Sequence, residues 1–141
     1  MPNSFTQIFI HFVWATWDRM PLISAEREER LYACILKECE NMRCHALAIG
    51  GIEDHVHVLL RMHATVSVAE IAQQMKGVSS HFVNHEMPDE MLFRWQGGYG
   101  ALSVSPNHVN RVVGYIRNQK RHHAAKKLWP LLEDTSINFE D

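Results

Sequence analysis

Residues 5–16 alternate in character: Ile8, Ile10, Phe12 and Trp14 share one parity, and Gln7, Phe9, His11 and Val13 share the other. A period of two predicts a strand covered on at least one side. Asp18 to Pro21 turns the chain. Ser24 can then cap a helix with Glu26, Glu28 and Glu29 near its positive end and Leu31, Ile35, Cys39 and Met42 as its apolar stripe, ending near Met42. His45–Ile49 and His55–Leu60 are short apolar runs joined by Gly50-Gly51-Ile52-Glu53-Asp54, a segment suited to a hairpin. Ser67-x-x-Glu70 is a capping box for a second helix, with Ile71, Met75, Val78 and Phe82 facing the core. Phe93–Trp95 and Ala101–Val104 read as strand on either side of Gly97-Gly98-Tyr99-Gly100. Ser105-Pro106 supplies an N-cap and a first-position proline for a third helix reaching about Lys127. This order of elements predicts an α+β, ferredoxin-like (RRM-like) domain: an antiparallel sheet with helices on one face plus a C-terminal helix.

Composition narrows the class. A chain of 141 residues, 46% apolar and without a Pro/Gly-rich linker, reads as a single domain over 1–141 and excludes disorder. No apolar run approaches the ~20 residues of a membrane span, and no basic leader precedes an apolar stretch, so a cytoplasmic protein is expected. Cys34, Cys39 and Cys44 match neither a disulfide framework nor a C-x₂-C metal pattern and read as reduced thiols. The net charge of −2 conceals an asymmetry: residues 91–132 carry basic side chains and no acidic ones, whereas residues 133–141, expected to be a flexible acidic tail, carry the reverse. Such a cationic block is either a polyanion contact or a solvated helix face.

Two features carry candidate chemistry. In Asp54-His55-Val56-His57-Val58-Leu59-Leu60, an extended strand points Val56, Val58 and Leu60 into the core and projects His55 and His57 from the other face, roughly 6–7 Å apart. Two imidazoles so placed can bind one metal ion, although an isolated H-x-H more often describes two ordinary sheet-surface histidines, since a metal site needs a third ligand and supporting partners. On the last helix the stripe Val109, Val112, Val113 and Ile116 faces the core. Tyr115 and Gln119, at i and i+4, share a flank about 100° away and can reach one site. A tyrosine hydroxyl beside a metal-bound phosphate can serve as a nucleophile; a tyrosine at the edge of a core is the plainer reading.

The combination His55-Val56-His57, then Trp95-Gln96-Gly97-Gly98-Tyr99-Gly100-Ala101-Leu102-Ser103-Val104-Ser105, then Tyr115-Ile116-x-Asn118-Gln119 resembles the single-tyrosine HUH transposases of bacterial insertion sequences, the TnpA type, from about Phe5 to His123. The resemblance implies a DNA strand transferase acting on single-stranded, hairpin-containing transposon ends. Tyr115 would form a 5′-phosphotyrosine link, and His55, His57 and Gln119 would hold one Mg²⁺ or Mn²⁺. It also implies a homodimer, with Tyr115 serving the metal pair of the other subunit, and a bacterial or archaeal protein associated with the nucleoid when acting. Arg111, Arg117, Lys120, Arg121, Lys126 and Lys127 cluster on the tyrosine's helix as candidate phosphate contacts. Asn118 points away from Gln119 and takes no ligand role, while His108 and His122 share the flank of Tyr115, where they either assist proton transfer or contact phosphate, or are solvent-exposed histidines. Tyr32 and Tyr99 compete for the nucleophile's role, one within an apolar helical pattern and the other in a glycine-rich turn. Three other readings stand beside this one: a related HUH nuclease, a catalytically silent single-stranded nucleic-acid binder on the same sheet, and a small metal-binding domain.

Overall fold

The computed structural model describes residues 4–125, and in it β1 (Phe9–Ala15) is a central strand, antiparallel to its neighbours on both sides. The other elements are α1 (Ala25–Asn41), β2 (His45–Ile52), β3 (His55–Arg61), α2 (Val68–Glu86), β4 (Gly100–Val104), α3 (Val109–Arg117) and α4 (Gln119–Ala125). The sheet order β2-β3-β1-β4, antiparallel throughout, is the ferredoxin-like arrangement expected from the order of elements. Lys126, Lys127 and the acidic tail lie outside the described residues.

The alternation in β1 and β3 sorts side chains between two layers. Ile10, Phe12, Trp14, Val56, Val58 and Leu60 join Leu31 and Ile35 of α1 and Ile71 and Met75 of α2 in the main core. On the opposite face Ala48 and Leu59 pack against Val112 and Ile116 of α3. Both faces are therefore covered, and His11, His55 and His57 are buried between sheet and helix. Ser24 and Ser67 cap α1 and α2 through their hydroxyls, which accept from the backbone N–H of Arg27 and Glu70.

Several expectations give way to tertiary context. Val78 is 37% exposed, and the buried stripe of α2 runs instead through Ile71, Ala72, Met75, Ser79 and Val83. Gly50 and Gly51 belong to β2, which leaves only Glu53 and Asp54 in the turn. Gly50 suits the strand because α3 passes so close that a Cβ there would stand 2.2 Å from the Ile116 carbonyl oxygen. Phe93–Trp95 forms no strand; Trp95 bridges Thr16, and the Asn84 side chain substitutes for a neighbouring strand. Its amide donates to the Phe93 carbonyl at 2.9 Å and its oxygen accepts from the Phe93 N–H at 2.8 Å. Ser105 opens a short 3₁₀ turn, Pro106–His108, before α3 begins.

The last helix is broken at Asn118. Its side-chain amide donates to the Gly114 carbonyl at 2.8 Å, competing with the backbone ladder and ending α3, while its own carbonyl accepts from the His122 N–H and starts α4.

Candidate active site

His55 ends the tight turn from β2, opposite Ala15 of β1, and His57 lies opposite Val13. Each imidazole is oriented through its Nδ1. His55 Nδ1–H donates to the Asp54 carboxylate at 2.7 Å, and His57 Nδ1 pairs with His11 Nε2 at 2.8 Å. Burial alone would raise the Asp54 carboxyl's pKa, but the His55 hydrogen bond and the charges of His55, Arg19 and His123 outweigh it and hold the group below its usual range. An ionised Asp54 fixes the His55 proton on Nδ1 and turns the Nε2 lone pair toward the centre.

Opposite that lone pair stand two side chains of α4. Gln119 Oε1 is 3.3 Å from His55 Nε2, and His123 Nε2 is 3.2 Å from His55 Nε2 and 3.1 Å from Gln119 Oε1. Donor atoms about 2.1 Å from an octahedral ion stand roughly 3 Å apart at adjacent corners, so this triangle suits a small divalent cation. Two imidazole nitrogens and an amide oxygen make a mixed N/O donor set for a divalent ion, the nitrogens favouring borderline transition metals and the carbonyl oxygen harder ones. Among the described residues, His, Cys, Asp and Glu alone make no group of three able to hold a metal, so the set depends on the amide oxygen of Gln119. The His57 ring is 5.0 Å from that of His55, its Nε2 on the side of the ring away from His11.

Tyr115 sits on α3, one turn before Gln119, whose amide N–H donates to the Tyr115 carbonyl at 3.3 Å. Its ring meets His57 edge-on at 6.0 Å and stacks on His122 at 4.9 Å. The sequence placed Tyr115 and His122 on an open flank. In the structure Tyr115 is 2% exposed and Gln119 1%, because the sheet and α4 close over that flank, and His122 is half-buried against the tyrosine. The competing tyrosines fall away. Tyr99 packs against Phe12 at the edge of the main core. Tyr32 is largely buried beside Glu28, and desolvation followed by that negative charge pushes its phenol well above the ordinary range.

His123 is the site residue that sequence reading left unassigned; its i+4 spacing from Gln119 was the available signal. His11 gave no local signal. Arg111, Arg117 and Arg121 are exposed on the surface of α3 and α4, whereas the Lys120 ammonium donates to Glu28 and, at 3.3 Å, to the Gly51 carbonyl. His108 is exposed and bonded to the Ser105 hydroxyl. Asn118 spends its amide on Gly114, as its position predicts.

The profile of the family described as "Transposase IS200 like" matches residues 4–119. Transposases for insertion sequence element IS200 from Salmonella typhimurium and Salmonella typhi are each 26% identical over 114 residues, covering 77% of this chain and 74% of theirs. A candidate transposase from Deinococcus radiodurans R1 superposes with a TM-score of 0.69 at 21% identity, over 84% of this chain and 95% of that one. A REP-associated tyrosine transposase solved bound to a REP hairpin superposes with a TM-score of 0.66 at 12% identity, over 98% of this chain and 93% of that one.

Proposed function

This chain belongs to the IS200-like transposase family, as its motifs imply, and from that premise we propose that it cuts and rejoins single-stranded transposon ends through Tyr115. The observation that carries the reading is a single buried centre. It brings together the Tyr115 ring, the H-x-H pair, and a triangle of donor atoms from His55, Gln119 and His123.

In this reading Tyr115 Oη bonds to the phosphorus of the scissile phosphodiester as the bond from phosphorus to the 3′ oxygen breaks. The phenol loses its proton and the departing oxygen gains one. A 5′-phosphotyrosine link and a free 3′-OH result. The link retains the energy of the broken diester, so attack by another 3′-OH reseals the strand without an external source. An ordinary phenol, with a pKa of about 10, is scarcely ionised at neutral pH, so the surrounding groups must assist its deprotonation. A divalent ion held by His55, His57, Gln119 and His123 would stabilise charge on the phosphoryl oxygens. Asp54 and His11 hold the two imidazoles in register, and Gln119 ties the donor set to the turn that carries the nucleophile. Arg111, Arg117 and Arg121 supply the exposed cations for backbone phosphates. The hairpin held by the structurally similar REP-associated transposase supports a hairpin-containing end as the substrate class.

Labelled single-stranded ends, incubated with the protein and Mg²⁺ or Mn²⁺ and run on a denaturing gel, test this. The wild type should form a covalent adduct. Tyr115→Phe should form none while binding the strand within a few-fold, because only a hydroxyl is lost. Binding without an adduct in any ion would favour the catalytically silent binder.

A further inference from the structure

The loop between β1 and α1 is built at a conformational cost. Asp18 and Arg19 both lie in the left-handed region, at φ 52° and 54°, consecutively and without a glycine. The loop is nevertheless firmly tied down. The Thr16 N–H donates to the Asp54 carbonyl at 2.9 Å, the Trp17 N–H to the Arg94 carbonyl at 2.9 Å, and the Thr16 hydroxyl to the Met20 carbonyl at 2.6 Å. These restraints display an indole: Trp17 is 44% exposed, whereas Trp14 and Trp95 are buried. The Arg94 guanidinium lies 3.9 Å over its ring, a cation–π contact on an indole that is still 44% exposed. Arg19 stands 3.8 Å from the Asp54 oxygen that also accepts from His55 Nδ1 at 2.7 Å. Arg19 is thus one carboxylate away from the candidate metal ligand, and the loop that carries it also carries the half-exposed indole on which Arg94 lies. No step assigned above uses them.

We propose that Trp17, backed by Arg94 and flanked by Arg19, is a stacking subsite for a nucleobase of the single strand next to the scissile phosphate. The inference rests on the transposase reading for its neighbour, the cleaved phosphate. Its own chemistry is independent of that reading: every base has a π-face for the indole, and the guanidiniums match the adjoining phosphates. Stacking of this kind tolerates any base, so the subsite positions the strand and leaves sequence choice to other contacts.

The test uses the full chain with chelator present, so that binding is read without cleavage. A labelled single-stranded end is titrated with wild type, Trp17→Ala and Trp17→Phe, and then with oligonucleotides carrying one abasic nucleotide at successive positions around the cleavage site. Trp17→Ala should weaken binding about 5- to 100-fold, and Trp17→Phe should recover most of it. One abasic position should weaken wild type and cost Trp17→Ala nothing further. Trp17→Ala within two-fold of wild type, or losses that add at every abasic position, would overturn the subsite. Read beside the separate gel assay with Mg²⁺ or Mn²⁺, an adduct formed by wild type with Trp17→Ala neutral in binding sinks the subsite alone. Weakened binding by Trp17→Ala without any wild-type adduct keeps the stacking site and sinks the transposase reading. A wild type that binds no single strand removes both.

Discussion

At the scale of the residue, the centre is organised by groups that hold other groups. His55 takes its tautomer from Asp54, and His57 takes its orientation from His11. Partners of this kind typically contribute 10- to 100-fold in metal affinity. Asp54→Asn and His11→Gln should each weaken Mn²⁺ binding by about that factor, and His123→Ala at least as much, in calorimetric or paramagnetic titrations of the protein without DNA. Titrations identical to wild type would leave these side chains with a packing role only. The H-x-H pair and Tyr115 were legible because their spacing in a strand and a helix survives any tertiary arrangement. His11 was not, since its partner is 46 positions away and meets it only in the β1–β3 register, where His57 stands diagonally across from it. The cationic run that suggested a DNA-facing surface also drew attention from His123, which turns inward one turn after Gln119.

At the scale of the element, the site depends on how closely α3 lies on β2. Gly50→Ala would place a methyl 2.2 Å from the Ile116 carbonyl oxygen, so either strand or helix must shift. The expected cost is about 1–3 kcal/mol, read as a lowered denaturant midpoint, with weakened metal binding because α3 leads into the helix carrying Gln119 and His123. Gly77→Ala is the control: a Cβ there meets nothing within 4 Å, and α2 should gain roughly 0.5–1 kcal/mol. Equal stability in the two variants would refute the close approach as a constraint. Local pattern reads Gly50-Gly51 as a turn because nothing nearby in sequence announces a helix 66 positions later. The same limit applies to Phe93–Trp95, whose strand-like pattern is met by one asparagine side chain, and to the helix expected to run unbroken past Asn118. The Ser24 and Ser67 caps and the order of elements, by contrast, were readable because they are set within a few residues.

At the scale of the whole molecule, the two faces of one sheet divide the work. One buries the main core against α1 and α2; the other holds the histidines under α3. The sheet order leaves β2 and β4 as edges, which fits association of two copies. Mixing Tyr115→Phe with His55→Ala under subunit exchange tests the trans arrangement that the resemblance implies: recovery of the adduct places the tyrosine on its partner's ligands, and a mixture that stays inactive rejects that arrangement. Salt, varied in the same binding assays, should weaken the strand complex steeply as counterions are displaced. The burial of the nucleophile reaches further. With Tyr115 2% exposed beneath His122, the proposed attack requires that ring or α4 to move before a phosphodiester can meet the hydroxyl. On the proposed reading the resting protein carries a safety catch: a stray strand would meet a sheathed blade, and a correct end would be distinguished by its power to draw it.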